Sequence, residues 1–240
     1  MSKEILAELT DPTTLRVGVN MGNMLLVTDK KDDGTPVGVS PDFSKAIAGK
    51  LGIKVAYKCF PMPGEVADAL ADDAWDICLI AAEPARAETI SFCKHYTEIE
   101  ATYIVPNDSP FQKPEDVDRD GVKIAVANRA AYDLFLTRSL KHATLERATG
   151  LVGAVELYKS GGFDALAGLV PAFKKNIEEL PGHRILPGRF TAVTQSVGTK
   201  PANKNLKKFC EDFIAESVAN GFVQSLIDKH GVTGKLMVAT

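Results

Sequence analysis

Glu83 and Arg86 lie just after an apolar run, within the stretch AAEPARAETISFCKHY at residues 81–96. A carboxylate and a guanidinium this close, with Pro84 between them, have two common uses. On the first turn of a helix, an acid at the cap position favours the helix dipole, and the two side chains pair. In a binding site, the guanidinium is a planar fork that matches the carboxylate of a ligand. The residue types alone leave both interpretations open.

Other patterns that carry chemistry are absent from the sequence. The chain has four cysteines, Cys59, Cys78, Cys93 and Cys210, and none of them has CxxC spacing. No histidine stands at metal-ligand spacing. Cys78 lies in an apolar run and Cys93 follows Phe92, so we expect buried free thiols and no disulfide framework. There is no Ser-His-Asp order and no glycine-rich phosphate loop, and His95 is expected to be structural. We therefore predict neither a metal nor a cofactor.

The composition limits the kind of protein. A chain of 240 residues makes one large domain or two ordinary lobes. With 45% hydrophobic and 25% charged residues it is typical of a soluble globular protein, and the net charge of −3 gives no reason to expect nucleic acid. Apolar runs such as ICLIAA are far shorter than the roughly 20 residues of a membrane span. The start, MSKEILAELTDPTTL, lacks an export signal, so we expect a cytoplasmic protein as written, or a periplasmic one whose signal has been removed.

The first part of the chain alternates strands and helices. Ser40 is predicted to cap a helix with Pro41 in its first turn and Gly52 at its end, and Asp33-Gly34 predicts a turn. The predicted strands cover 15–19, 53–57 and 75–81, and the predicted helices cover 43–52 and 65–71. This order is typical of an open, largely parallel sheet with helices on both faces.

A second series of strands and helices follows the polar stretch 107–121, which we interpret as a loop between lobes. Strands are predicted at 122–127 and 163–168, helices at 130–140, 152–160 and 170–180, and extended segments at 101–106 and 185–200. Helices over 202–230, broken at Gly221, are expected to return to the first lobe. The two extended segments are typical of a hinge.

We therefore predict an α/β fold of two Rossmann-like lobes joined by two hinge crossovers. Lobe 1 covers 1–104 and 191–240, and lobe 2 covers 105–190. Ligands in open α/β sheets collect at the carboxyl ends of the strands. That rule favours a cleft between the lobes, lined by the loops that follow Val19, Ile80, Val126 and Ala167, with Ala81 at the end of the third strand.

Long segments of the sequence resemble the bacterial extracellular solute-binding proteins of family 3, the polar-amino-acid receptors of ABC importers. The resemblance rests on LRVGVNMGN (15–23), DGTPVGVSPDFSKAIAGKLGIKV (33–55), ADDAWDICLIAAEPARAETISFCKHY (71–96), VKIAVANRAAYDLFL (122–136), FDALAGLVPAF (163–173) and the segment 190–222. These segments occur in the family's order and span nearly the whole chain. The resemblance implies a type II periplasmic-binding-protein fold.

The resemblance also assigns roles near Arg86. Arg86 matches the arginine that grips the ligand's α-carboxylate in the family. Glu83 stands where the family has threonine or serine, so it repels a carboxylate, neutralises Arg86 or takes over the ligand's ammonium group. Asn20, Asn23 and Met24 occupy the place of an aromatic lid, and Met24 either walls the site or packs in the core.

In the second lobe, the resemblance implies a helix whose free N–H groups bind the carboxylate. Arg129 stands near the family's glycine and Ala130 near its hydroxyl residue, followed by Ala131 and Tyr132, while Asp133 is expected to be structural.

The family's ammonium-binding aspartate is replaced by Leu169, two residues before Pro171. A buried ammonium without a counter-ion is costly, so an ordinary α-amino acid is not the expected ligand unless Glu83 binds the ammonium. Thr194 and Gln195 suit either a cleft lining or a hinge.

Taken with the resemblance, these residues predict a monomeric, non-enzymatic receptor that captures a small, carboxylated molecule for an ABC importer permease. One alternative is an enzyme similar to the cyclohexadienyl or arogenate dehydratases, with Glu83 as general acid. Another is a cytosolic small-molecule sensor.

Overall fold

The structure, a computed structural model, describes residues 2–239; Met1 and Thr240, the ends of predicted lobe 1, lie outside the described residues. The chain divides into two compact units. Unit 1 contains residues up to 98 and from 194 onward, and unit 2 contains residues 99–193. The polar stretch 107–121, interpreted above as a loop between lobes, lies within unit 2. The chain passes from one unit to the other within two strands instead, at residues 91–106 and 191–199.

The first part of unit 1 alternates strands and helices as expected. Its elements are α1 (Ser2–Leu6), β1 (Thr14–Asn20), β2 (Asp29–Lys30), β3 (Pro36–Val37), α2 (Val39–Leu51), β4 (Lys54–Phe60), α3 (Pro63–Asp68), β5 (Ile77–Ala81), α4 (Pro84–Ala87) and the start of β6 (Ser91–Pro106). The short hairpin β2–β3 turns at Gly34, which has a φ of 86°, as the Asp33-Gly34 pair predicts.

The sheet of unit 1 brings three strand ends to one edge. β1 lies between β4 and β5 and is parallel to both, and Asn20 pairs with Phe60. β11 (Thr191–Thr199) runs antiparallel to β5, so that Gln195 pairs with Ala81. The loops after β1, β4 and β5 therefore leave the sheet at the same edge.

The start of α2 differs from the prediction. Gly38, not Ser40, is the N-cap residue, with a φ of 152° and an approach so close that a Cβ would lie 2.3 Å from the carbonyl oxygen of Leu26. Ser40 lies inside the helix, where its hydroxyl and that of Tyr96 are hydrogen-bonded at 3.0 Å. The helix ends at Gly52 in the left-handed conformation, as predicted.

Trp75 anchors the core beside β1. Its side chain is fully buried, and Nε1 donates a hydrogen bond to the carbonyl oxygen of Val66 over 2.8 Å. Gly18 of β1 passes so close that a Cβ would lie 2.8 Å from the indole ring. Trp75 is the single tryptophan of the sequence, and it lies in unit 1.

The last helices return to unit 1, as expected from the sequence. They are α8 (Lys204–Ala219) and α9 (Phe222–Lys229), separated by Gly221 with a φ of 80°, and β12 (Met237–Val238) then pairs with the first part of β6. α9 packs on both α8 and α2. Among residues 2–239 there is no helix both long and apolar enough to cross a membrane.

The strands of unit 2 pair in both parallel and antiparallel orientations. Its elements after β6 are a 3-10 turn (Pro114–Asp116), β7 (Lys123–Ala127), α5 (Ala131–Ser139), β8 (Thr144–Ala148), α6 (Gly150–Lys159), β9 (Ala165–Leu169), α7 (Val170–Asn176), a 3-10 turn (Ile177–Glu179) and β10 (His183–Ile185). The order is β6-β9-β7-β8, with β7 parallel to both neighbours, and β10 pairs with the end of β6. β7 and β9 therefore end at the same edge, at Ala127 and Leu169.

Candidate functional site

The segment after β5 begins a short helix without a side-chain cap. Ala82 N–H donates to the carbonyl oxygen of Thr194 over 3.1 Å, which ties the loop to β11. Glu83 is the N-cap residue of α4, and its carbonyl oxygen accepts the amides of Arg86 and Ala87, each at 2.9 Å. The Glu83 carboxylate itself does not cap the helix. Glu83 therefore occupies the N-cap position that the capping interpretation requires, where its charge favours the helix dipole, but it adds no capping hydrogen bond.

Arg86 is a buried residue rather than a surface arginine. It is 5% exposed, and its Nη1 donates a hydrogen bond to the carbonyl oxygen of Ala81 over 2.8 Å. Glu83 is 8% exposed, and both side chains have partners in the fold. Burying charged groups is costly unless they are compensated. The two groups therefore do not form a solvated helix turn, and their role in binding stays a prediction.

The loop after β1 supplies short polar side chains. Asn20 Oδ1 accepts the amide of Gly22 over 3.0 Å, and Asn23 Oδ1 accepts the amide of Leu25 over 3.1 Å. These bonds hold the turn, while each oxygen keeps a second lone pair and each amide nitrogen two N–H donors for contact with a ligand. Met24 is 73% exposed, which excludes core packing, and its role as a wall of the site stays a prediction.

In unit 2, the turn between β7 and α5 has a glycine-like backbone at Arg129. Arg129 has a φ of 58°, in the left-handed region, and its amide donates to Asp133 Oδ2 over 2.8 Å. Asp133 is buried and accepts Arg147 Nε over 2.9 Å at Oδ1. Asp133 is therefore engaged in the fold, in agreement with its expected structural role.

Ala130 and Ala131 form the start of α5. Ala130 is the N-cap residue with extended backbone, and its carbonyl oxygen accepts the amide of Leu134 over 3.0 Å. Tyr132, in the first turn, is buried, and burial together with the nearby charge of Asp133 raises the pKa of its hydroxyl. The tyrosine is neutral at physiological pH and presents an uncharged hydroxyl.

Leu169 is the last residue of β9 and the N-cap residue of α7. It pairs with Ala101 of β6 and is half-buried. Since β7 and β9 are parallel neighbours, Leu169 lies at the same edge of unit 2 as Arg129, Ala130, Ala131 and Tyr132. A hydrocarbon side chain therefore stands where the resemblance places an acid.

The predicted residues thus form one group in each unit. The unit 1 group contains Asn20, Asn23, Met24, Ala81, Glu83 and Arg86, and the unit 2 group contains Arg129, Ala130, Ala131, Tyr132 and Leu169. Gln195 joins the first group through its pairing with Ala81 and is 3% exposed. From the sequence alone, Gln195 is either a cleft-lining or a hinge residue, and the available signal was a polar residue between Val193 and Val197.

A separate cavity of about 690 Å³ lies elsewhere on unit 1, beside the β2–β3 hairpin, and none of the predicted residues lines it. On its wall, Asp42 accepts hydrogen bonds from Lys229 Nζ over 2.7 Å and forms one with His230 Nε2 over 2.8 Å. Burial raises the pKa of Asp42, but these partners outweigh it and leave the pKa below its usual value.

The cysteines are free thiols: Cys78, Cys93 and Cys210 are buried as expected, whereas Cys59 is exposed. His95 is exposed on β6. Within the described part of the chain, no three His, Cys, Asp or Glu side chains are grouped to hold a metal ion.

Comparison with known proteins supports a single family. The profile of the bacterial extracellular solute-binding proteins, family 3, matches residues 15–233. Among solved structures, a mutant of ArgBP from T. maritima is 19% identical, covers 95% of this chain and 99% of its own, and has a TM-score of 0.74. No curated protein matches the sequence.

Two further structures extend the comparison. An amino acid ABC transporter substrate-binding protein, AbpA from Streptococcus pneumoniae, bound to L-arginine, is 20% identical with a TM-score of 0.72, over 91% of this chain and 94% of its own. The ancestral amino acid-binding protein AncCDT-1, a precursor of cyclohexadienyl dehydratase, is 22% identical. Its match covers 93% of this chain and 98% of its own, with a TM-score of 0.73. At these identities the likeness shows the fold.

Proposed function

Because the chain belongs to the bacterial extracellular solute-binding proteins of family 3, with their type II periplasmic-binding-protein fold, we propose that it is a receptor for a small carboxylated molecule. The receptor delivers its ligand to the permease of an ABC importer, acts outside the cytoplasm, and works as a monomer without a cofactor. It captures the molecule by binding and carries out no reaction on it.

The observation that carries this proposal is the buried Arg86 at the end of β5. Its guanidinium is fixed by the bond from Nη1 to the carbonyl oxygen of Ala81. An oriented guanidinium in a poorly hydrated position binds a carboxylate strongly because the charge-assisted hydrogen bonds meet little competition from water. Two similar structures support a carboxylated ligand, since AbpA is bound to L-arginine and an ancestral arginine-binding protein is bound to glutamine.

The ligand differs from an ordinary α-amino acid. Leu169 gives unit 2 a hydrocarbon at the position where the resemblance puts the acid that neutralises an ammonium group. Glu83 is the acid at the unit 1 position, and it has partners in the fold already. A ligand with a carboxylate and no strongly basic α-substituent fits this arrangement best.

Calorimetric titration of Arg86→Ala tests the proposal. The panel contains L-arginine, L-glutamine, succinate, L-malate, propionate, L-lactate and pyruvate. We expect any acid bound by the wild type to lose about 100-fold in affinity, since truncating one partner of a buried charge pair costs a few kcal/mol. Arg86→Lys keeps the charge without the planar fork, so we expect it to lose about tenfold.

Arg119→Ala is the matched control, because this arginine has a side chain that is 55% exposed and lies in unit 2. We expect its affinities to equal those of the wild type. Unchanged affinity in Arg86→Ala, or no binding of any acid by the wild type, would contradict the proposal.

A dehydratase-like enzyme is the second candidate, favoured by the buried acid Glu83 beside Arg86 and by the likeness to a precursor of cyclohexadienyl dehydratase. Incubation with prephenate and with arogenate, followed by chromatography of aromatic products, separates the two candidates. Product formation that disappears in Glu83→Gln would establish the enzyme, because a general acid needs its proton at that atom. Tight binding without any product supports the receptor.

A further inference from the structure

Gln195 is a buried polar residue without a hydrogen-bond partner for its side chain. It lies in β11, within unit 1, and is 3% exposed. Its amide group makes no hydrogen bond to any residue in the described range 2–239. Neither amide atom is fully enclosed, since the enclosed unpartnered side-chain atoms in that range are Thr97 Oγ1 and Tyr158 Oη. The amide therefore borders accessible space.

Such a group is unfavourable for folding. Buried polar groups nearly always have a hydrogen-bond partner in the protein, and an amide that has only a small opening to solvent instead loses part of its hydration without a compensating bond. Val193 and Val197, the next residues on the same face of β11, are both apolar and buried. A leucine at position 195 would extend that apolar row. A polar side chain that does not stabilise the fold indicates a role in binding.

The position of Gln195 identifies that use. Gln195 pairs directly with Ala81, whose carbonyl oxygen holds Arg86 Nη1 at 2.8 Å. Ala82 and Thr194 join the same two strands by a hydrogen bond of 3.1 Å. Side chains of directly paired residues project from the same face of a sheet. The amide is thus held at the strand end where Arg86 lies.

We infer that Gln195 contacts the ligand and recognises an uncharged hydrogen-bonding group, a hydroxyl or a keto oxygen, close to the carboxylate that Arg86 binds. The inference rests on the proposed function and names the ligand class, which is a hydroxy- or oxocarboxylic acid. An amide offers both a donor and an acceptor, which a hydroxyl matches fully. It carries no charge, so it does not balance an ammonium group in a poorly hydrated site.

The test compares acids that differ only in that group: succinate with L-malate, and propionate with L-lactate and pyruvate. Wild type, Gln195→Leu and the control Gln112→Leu are titrated by calorimetry; Gln112 is exposed and lies in unit 2. We expect wild type to prefer the substituted acid by at least about tenfold, because a site that hydrogen-bonds a substituent rejects the analogue lacking it. Gln195→Leu should lose this preference while binding the unsubstituted acid within about twofold.

A second readout needs no ligand. If the amide is unused by the fold, Gln195→Leu raises the thermal midpoint by a few degrees, on the order of the shift for removing one unpaired polar group. A residue with a structural role would lower the midpoint, so a lower midpoint or a protein that no longer folds overturns the inference.

The outcomes separate this inference from the proposed function. If Arg86→Ala abolishes binding and Gln195→Leu binds every acid as the wild type does, only the role of Gln195 is overturned. Preference of the wild type for L-arginine or L-glutamine over all the hydroxy and oxo acids overturns the ligand class. If wild type binds no acid, or Arg86→Ala binds normally, the proposed function fails and this inference with it.

Discussion

Arg129 occupies a backbone conformation that most residues avoid. A φ of 58° places its Cβ close to the following carbonyl group, which costs a residue other than glycine about 1 kcal/mol. The turn depends on the backbone amide, which donates to Asp133 Oδ2, so the hydrogen bond survives any side-chain change. The resemblance places a glycine at or near this position, and the observed φ gives the physical reason.

We therefore expect Arg129→Gly to be more stable to chemical denaturation than Arg129→Ala by about 1 kcal/mol. Both variants lose the same side-chain interactions, and only alanine keeps the Cβ. Equal stability of the two variants would show that the turn relaxes out of the left-handed region at no cost.

Asp76 lies directly before β5 in unit 1 and joins this strand to β1. Its fully buried carboxylate accepts the Arg16 amide over 3.0 Å, Arg16 Nε over 3.2 Å and Arg16 Nη2 over 2.8 Å, and the Thr10 amide over 3.3 Å. Asp76→Asn keeps the shape but removes the charge opposite Arg16. We expect a loss of about 3 kcal/mol in the free energy of unfolding at neutral pH, measured by urea titration.

The same carboxylate gives an acid-dependent prediction. Burial raises the pKa of Asp76, but the hydrogen bonds from Arg16 outweigh it, so the folded pKa lies below the unfolded value. A lowered pKa means that the stabilisation is complete above the unfolded pKa, about 4, and is lost as the pH falls through the folded pKa. The difference in stability between wild type and Asp76→Asn should therefore narrow below about pH 4. A difference that stays constant with pH would contradict this.

The sequence predicts the long, regular elements well. β1, α2, β5, β7, α5 and the α8–α9 pair all follow from hydrophobic pattern, turn residues and glycines. β8 was missed because TLERA is mostly exposed and carries two charges, so it lacks the alternation of a half-buried strand. The Ser40 cap was wrong because Gly38, held against Leu26, starts the helix earlier, and that contact is not local in sequence.

The site could be predicted only in part. The position of Arg86 at a strand end follows from the apolar run before it. Its burial, and the missing partner of the Gln195 amide, depend on β11 lying beside β5, which are more than a hundred residues apart in the chain. No local pattern contains that information. The ligand roles of all these residues stay predictions.

For the molecule as a whole, ligand binding is expected to act on global stability. A ligand that binds only the folded protein adds about 2.7 kcal/mol to the free energy of unfolding when its concentration is about 100 times its Kd. For a chain of this size, that raises the thermal midpoint by about 5–10 °C. We expect this shift with whichever acid of the panel binds most tightly, measured by differential scanning calorimetry. Arg86→Ala should show none at the same concentration, and an equal shift would place the binding elsewhere.

The single tryptophan gives the protein a built-in reporter for one unit. Trp75 is sealed in unit 1, and the tyrosines are spread over both units. Selective excitation of the indole therefore follows the melting of unit 1 alone, whereas far-ultraviolet circular dichroism follows both. Coincident curves would indicate one cooperative transition, and separate curves would reveal that the inserted segment 99–193 melts as an independent body.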